Sequence, residues 1–496
     1  MINAKPRPCA ELTIRATRAD RSCSKLGKRW ALTAAVLGST MSFLDESVVN
    51  VALPKIEADL ATTLPAMQWV VNAYTLCMSA LILSGGAAAD RFGRRRIFLI
   101  GVAIFATSSL VCGLSPQVDV LILARAIQGV GAALLIPCSL AIIGAAYDER
   151  ERGAAIGIWS GASAIAAGAG PLVGGWLVDH VSWRAIFLIN PFLALPTIWI
   201  ALRHVPESRD PTATGGLDWS GAALVFAALA GMAYGLIAAS TRGWSDAAVI
   251  AALVIGVSLL VVFVWHEKHS PAPMLPLEMF HSRNFSGVNL MTLLLYGALG
   301  GAFFFVPFLL IQAHGFSATA AGAAFLPFTI VMGALSGTSG HMADRVGPRR
   351  HLVVGPTVVA LGFLLLLWSS GQQRYWVFLV ALTVLGFGMT VTVAPLTTLV
   401  MNSVPESRAG IASGINNAVA SVASLLVLSA SGTVALSVYN RAIEQHSSAQ
   451  LATIDMFRSV MLIAAVLCLA SAAVASLTIR CSPARPPRQA PTPRSR

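Results

Sequence analysis

Gly86-Ala-Ala-Ala-Asp90-Arg91-Phe92-Gly93-Arg94-Arg95 returns as Gly340-His-Met-Ala-Asp344-Arg345-Val-Gly347-Pro-Arg349, about 254 residues further on. An acid, a turn glycine and a basic cluster recur at one spacing, and each copy follows a long apolar stretch. A weaker echo at nearly the same offset pairs Arg152-Gly-Ala-Ala-Ile-Gly157-Ile158 with Arg408-Ala-Gly-Ile-Ala-Ser-Gly414-Ile415. The chain therefore reads as two related halves.

The surroundings of the repeat say what is duplicated. Fourteen apolar stretches of roughly 20 residues, the first from Trp30 to Pro54 and the last from Met456 to Ile479, are each long enough to cross a hydrocarbon core about 30 Å thick. A composition of 56% hydrophobic and 11% charged residues, against roughly a quarter charged in soluble domains, excludes an ordinary soluble enzyme. The stretches do not alternate apolar with polar residues, so they are helices rather than barrel strands. The class is all-α integral membrane.

Of the 34 Lys and Arg residues, 27 fall in segments on one side of these spans, 6 on the other, and Arg125 within a span. Basic loops stay in the cytoplasm, so both termini are expected there. The net charge of +12 then reports topology and contact with anionic lipid, and does not point to nucleic acid. Residues 1–29 and 480–496 read as cytoplasmic tails, disordered in the basic N-terminus and from Pro483 to Arg496. The seven cysteines show no disulfide or metal spacing.

The motif follows span 2 in its first copy and span 10 in its second. Span 9 is thus the counterpart of span 1, which divides the chain into six helices (30–202), two inserted helices with their flanking loops (203–284) and six more (285–479). Parallel halves related by an axis along the membrane normal are a secondary-transporter arrangement, with the substrate site between halves near the midplane.

Ionisable groups inside spans cost about 2.5 to 3.5 kcal/mol each and usually face a cavity or a partner. There are three, Asp45, Glu46 and Arg125. At 1.5 Å per residue Asp45 lies roughly 22 Å into span 1, and Arg125 roughly 9 Å below the opposite surface in span 4, so their depths match. Asp45 or Glu46 is expected to approach Arg125, which keeps a carboxylate ionised until protonation releases it. Either acid can carry a proton, alone or as a coupled pair. A purely structural ion pair is the alternative.

Span 5 carries Gly157, Gly161, Ala164, Gly168, Pro171 and Gly175 at alternating four- and three-residue steps, a stripe of small residues that lets helix backbones approach. Its Gly170-Pro171 step is a point where the helix can bend, although packing alone would explain the stripe. Asn50, Gln128, Asn416 and Asn417 are candidates to line the cavity, with interhelical hydrogen bonding as the plainer reading. No phosphate-binding Gly-x-x-x-x-Gly-Lys-Ser/Thr loop is present, so the expected energy source is an ion gradient, with no cofactor. The spans hold no catalytic cluster of His, Cys or carboxylates and no continuous polar lining, which argues against a membrane enzyme and a passive channel.

Five segments in order, Leu44-Asp45-Glu-Ser-Val-Val-Asn50-Val-Ala-Leu-Pro54, the Gly86 to Arg96 loop, Arg125-Ala-Ile-Gln128-Gly129-Val-Gly131, Gly170-Pro171-Leu-Val-Gly174-Gly175 and Trp183-Arg184-Ala-Ile-Phe187-Leu-Ile-Asn190-Pro191, resemble the major facilitator superfamily. The likeness is to its fourteen-span drug:proton antiporter branch and covers essentially the whole chain. It implies the major facilitator fold, two six-helix bundles plus two inserted central helices, in a bacterial inner membrane. It implies export of amphipathic or hydrophobic small molecules in exchange for protons, with one endogenous metabolite as the narrower alternative. A cationic substrate suits three intramembrane charges that sum to minus one. By the same resemblance the span 1 acid serves proton or substrate coupling and Arg125 proton transfer. Gly86, Asp90, Arg91, Gly93, Arg94, Arg95, Asp344 and Arg345 form a conformational latch. Gly168, Gly170, Pro171, Gly174 and Gly175 form the antiporter motif about which the halves rock. Glu46 departs from the usual pattern, in which a small or polar residue follows the Asp. Expected partners are a small-molecule substrate, protons, membrane lipid and, in a host with an outer membrane, a periplasmic adaptor protein.

Overall fold

The computed structural model describes residues 25–210, 217–270, 273–405, 408–445 and 447–479. The terminal segments 1–24 and 480–496, most of the expected tails, lie outside the described residues. The helices are α1 (Lys25–Asp59), α2 (Leu64–Phe92), α3 (Arg94–Leu114), α4 (Val118–Ala146), α5 (Glu149–His180), α6 (Ala185–His204), α7 (Trp219–Arg242) and α8 (Ala247–His269). There follow α9 (Arg283–Phe308), α10 (Ala318–Ala323), α11 (Leu326–Val346), α12 (Pro348–Ser369), α13 (Tyr375–Asn402), α14 (Ala409–Glu444) and α15 (Ala449–Thr478).

Among the described residues, thirteen helical segments are long and apolar enough to cross a membrane. The fourteenth crossing is α1, whose hydropathy is lowered by Asp45 and Glu46 in its middle. One span is broken in two: α10 and α11 are separated at Ala324–Phe325, just before Pro327, which has no N–H to continue the helical ladder. Helix α9 carries Pro307 near its end and continues through one π turn, Leu309–Ala313. Several helices outrun the apolar stretches by a turn, as α1 does at both ends, because a helix does not stop where the hydrocarbon does.

In the first half α1 lies against α5 and α6, α2 against α4, and α3 against α4 and α6. In the second, α9 lies against α14 and α15, α12 against α13 and α15, and α11 against α13. Helices α7 and α8 pack on each other, and α7 reaches back to α2 and α14. Close backbone approach sets the α2–α4 pair: a Cβ on Gly129 would stand 2.3 Å from the Tyr74 carbonyl oxygen, and one on Gly85 2.2 Å from that of Ala133. This approach brings the Arg125 side chain of α4 under α2.

Among the described residues the halves touch mainly on one face, although the α2–α14 contact runs on past it, where Leu83 stands 3.4 Å from the Cβ position of Gly414. On the face away from the arginine-rich loops, the Gln68 amide donates to the Leu428 carbonyl (2.9 Å) and Asn72 to the Ser429 hydroxyl (3.0 Å). Gln312 donates to Glu57 (2.8 Å), and the Asp179 carboxylate accepts from the Ala318 and Thr319 amides at 3.1 and 2.7 Å. Toward the arginine-rich face the halves part, and between them opens a cavity of about 1010 Å³.

Candidate functional site

Helix α1 enters this cavity wall between α5 and α6 with its two acids on different faces. Asp45 points into the first half, where its side chain is fully buried. One carboxylate oxygen pairs with the Arg125 guanidinium, and the other accepts from the amides of Gln128 (2.8 Å) and Asn190 (3.0 Å). Arg125 also donates to the Val70 carbonyl (3.1 Å) and to the Gln128 side-chain oxygen (2.8 Å), and lies 4.3 Å from the centre of the Tyr74 ring. Asn190 donates in turn to Ser109 (2.9 Å). Five helices thus meet at one buried ion pair whose charges and lone pairs are largely satisfied, as a buried pair requires if its burial is not to be ruinous.

Glu46 does the opposite. It is exposed to the cavity, and its carboxylate makes no hydrogen bond to any described residue. Consecutive helix positions lie about 100° apart, so seating Asp45 among α3, α4 and α6 turns Glu46 out toward the space between the halves. Asp45 is the carboxylate that reaches Arg125; Glu46 is the one that meets solvent.

The rest of the wall is apolar and aromatic, with Phe43, Tyr74, Tyr296, Phe303, Phe325 and Phe328 among its residues. Asn50 lines it as expected from sequence. Gln128 does not: it is completely buried in the Asp45 network, because a residue three positions from Arg125 shares its helix face. Asn416 is also corrected, being buried inside the second half, where it donates to Asn289 (3.1 Å) and Thr292 (2.8 Å). Asn417, one position on, is exposed on α14 outside the cavity lining. Asn190 and Ser109 were missed as site residues, though Asn190 is a polar group seven residues past Trp183 in an apolar span, a depth close to that of Arg125.

The small-residue stripe of α5 is divided. In the half away from the arginine-rich face, Gly170 and Gly174 seat α1, through Ser47 and Val48. Gly168 and Gly175 seat the other half of the molecule: their Cβ positions lie 1.8 Å from Thr329 and 2.2 Å from the Ala318 carbonyl, while Gly322 presses the Pro171 carbonyl from across. Helix α5 runs unbroken through Pro171. In the other half, Gly157 and Gly161 line the cavity with no atom of a described residue within 4 Å of a Cβ. Gly175→Ala is therefore expected to push the halves apart where they now touch. Overpacking costs about 1 to 3 kcal/mol, enough to shift a conformational equilibrium by roughly 5- to 150-fold. Cysteine accessibility of Asn72→Cys checks the shift, and Gly161→Ala should leave it unchanged.

The expected latch is a strap within the first half in this conformation. Asp90 pairs with Arg94 at 2.7 Å, and Glu207, beyond α6, accepts from the backbone amides of Arg95 and Arg96, both at 3.1 Å. The Ser208 carbonyl accepts from the Arg94 amide (2.9 Å). Gly93 turns the chain at φ +113°, and Gly347 does so at φ +91° in the second copy. A Cβ on Gly93 would also meet the Glu207 carboxyl at 2.7 Å, so Gly93→Ala is expected to cost about 1 to 3 kcal/mol of stability, read as a lowered unfolding temperature. Arg91 flanks this turn, and Gly86 faces Pro137 one helix away. The side chains of Asp344 and Arg345 lie outside the described residues.

Residues 35–428 match the Major Facilitator Superfamily. The chain belongs to this superfamily. The multidrug resistance protein Stp of Mycobacterium tuberculosis is 35% identical over 84% of this chain and 77% of its own length. The tetracenomycin C resistance and export protein of Streptomyces glaucescens is 33% identical over 83% of this chain and 76% of its own. Among solved structures, an inward-facing, unoccupied bacterial homologue of the human lysosomal transporter Spinster superposes with a TM-score of 0.66 at 18% identity, covering 93% of this chain and all of that one. That likeness establishes the fold: a multi-pass, all-α transporter fold.

Proposed function

We propose that this protein exports amphipathic small molecules, drugs and antibiotics among them, in exchange for protons by alternating access. The observation that carries the reading is the cavity itself: about 1010 Å³ between the halves, mostly apolar and aromatic in its lining, closed on one face and holding Glu46, a carboxylate with no hydrogen bond to a described residue. The relatives named for resistance and export favour the same cargo class. The arginine-rich face is the cytoplasmic one, so the described conformation is the one that loads.

The residues divide the work. Asp45 and Arg125 neutralise each other and hold the first half together. Glu46 keeps the net negative charge, which favours a cationic or neutral amphipath over an anion. Facing the cytoplasm, Glu46 gives up its proton and the cargo binds. Facing outward, it takes a proton from the other side and the cargo leaves. Exchange of one proton for one monovalent cation moves no net charge, so the pH difference drives it: about 1.7 units, worth roughly 2.3 kcal/mol at about 1.4 kcal/mol per tenfold, sustains a concentration ratio of roughly 50.

The test is transport in vesicles of the purified protein under an imposed pH gradient, with a panel of lipophilic cations, neutral amphipaths and hydrophilic metabolites. Gradient-dependent accumulation of the first two classes supports the reading. Movement of one hydrophilic metabolite alone, or none with a gradient, rejects it.

A further inference from the structure

The internal repeat relates α2 to α11, which both end in the glycine-turn motif, and α5 to α14, which share the Arg152 and Arg408 segments. The same relation maps the seam where α2 meets α14 onto the seam where α5 meets α10 and α11. At each seam one helix from either half forms the cavity wall.

The two seams are finished differently. Helix α7 lies over the first, in contact with both α2 and α14. Its Leu229 and Ala233 share one buried cluster with Leu76 of α2 and Leu425 of α14, and the Thr433 hydroxyl of α14 donates to the Leu236 carbonyl of α7. Leu425 also lines the cavity, so α7 backs directly onto its wall. Among the described residues no helix lies along both α5 and α11.

The uncovered seam is tight only where Gly168, Gly175 and Gly322 lock it. Toward the arginine-rich face Gly157, Gly161 and Gly333 line the cavity with no atom of a described residue within 4 Å of their Cβ positions. The rim is apolar: Ile165 lines the cavity yet is 72% exposed, with Ile158 and Ile330 about as open on either side. Gly161 stands nine residues along α5 from Arg152, about 13 Å, within the roughly 15 Å depth of one leaflet. Because each helix satisfies its own backbone, an open seam between helices is compatible with lipid.

We propose that the α5–α11 seam is a lateral entrance by which amphipaths dissolved in the leaflet beside the arginine-rich face reach the cavity, and that the inserted pair α7–α8 seals the related seam and confines entry to one side. The partner of this surface is a membrane-partitioned molecule with an apolar body. The proposal deepens the exporter reading and rests on it only where transport is measured.

The test uses the full chain with Cys9, Cys23 and Cys481 replaced by Ser, a bimane fluorophore on Gly161→Cys or Val422→Cys, and nanodiscs whose lipids carry nitroxide in the acyl chain. Strong lipid quenching at position 161 and weak quenching at 422, under α7, is expected. Equal quenching at both, or quenching at 161 by aqueous iodide alone, overturns the entrance. As a second arm, Ile158→Trp, on the exposed rim outside the cavity lining, narrows the seam and should slow vesicle transport of tetraphenylphosphonium about tenfold, by gating rather than by weakening the site. Its affinity for that cation in detergent should stay within about twofold. An unchanged rate, or an affinity loss that matches the rate loss, overturns the proposal. Quenching needs no transport, so its failure rejects the entrance and leaves the exporter reading standing, whereas the expected quenching in a chain that moves no cation rejects the exporter reading alone.

Discussion

Vesicles carrying Glu46→Gln should move a lipophilic cation down its own gradient but fail to concentrate it under a pH gradient. Glutamine keeps the shape and the polarity of the side chain and removes its proton chemistry. The carboxylate makes no hydrogen bond to a described residue, so no buried partner is stranded and the fold should hold, with an unfolding temperature near that of the parent. The loss is then one of coupling: an accumulation of roughly 50-fold under a pH difference of about 1.7 units falls to equilibrium. Cationic cargo should also bind more weakly, while a neutral amphipath of the same size should bind as before. Unimpaired uphill transport by this variant would take the proton away from Glu46.

Arg125→Ala should behave in the contrary way, failing first as a folded protein. Removing one partner of a buried pair costs about 3 to 5 kcal/mol, because the other charge is left without its counterion. Asp45 would retain the Gln128 and Asn190 amides, which soften the loss and do not cancel the charge. Asp45→Asn strands Arg125 with only the Val70 carbonyl and the Gln128 oxygen. The double variant Asp45→Asn with Arg125→Ala should recover part of the stability lost by either single change, a positive coupling energy in a double-mutant cycle. Strict additivity of the two losses, measured by thermal unfolding in detergent, would show that the pair holds nothing together.

These two outcomes separate acids that stand side by side in the sequence, and the reason sequence alone left them joined is geometric. Depth along a helix follows from counting, at 1.5 Å per residue, which is why Asp45 and Arg125 could be matched across two spans. Rotation about the helix does not. A turn of about 100° separates position 45 from 46, and only the seating of α1 against α5 and α6 decides which acid is buried. Gln128 carried a usable signal, since a residue three places from a buried Arg shares its face; Asn416 carried none, because its partners Asn289 and Thr292 lie on another helix. The halves and the inserted pair were legible because the repeat is written in residues with a fixed backbone task, as Gly93 and Gly347 show by their shared positive φ. The strap from Asp90 to Glu207 was not, since its partners depend on which face of the molecule is open.

The division of labour between Glu46 and Asp45 is tested most directly by counting protons released when tetraphenylphosphonium binds the purified protein in weakly buffered detergent solution. The parent chain is expected to release protons on binding over the pH range where Glu46 titrates, and Glu46→Gln to bind the same cation, at higher concentration, with no release. Undiminished release from Glu46→Gln, together with its loss in a folded Asp45→Asn variant, would place the exchanged proton in the buried pair and contradict the account.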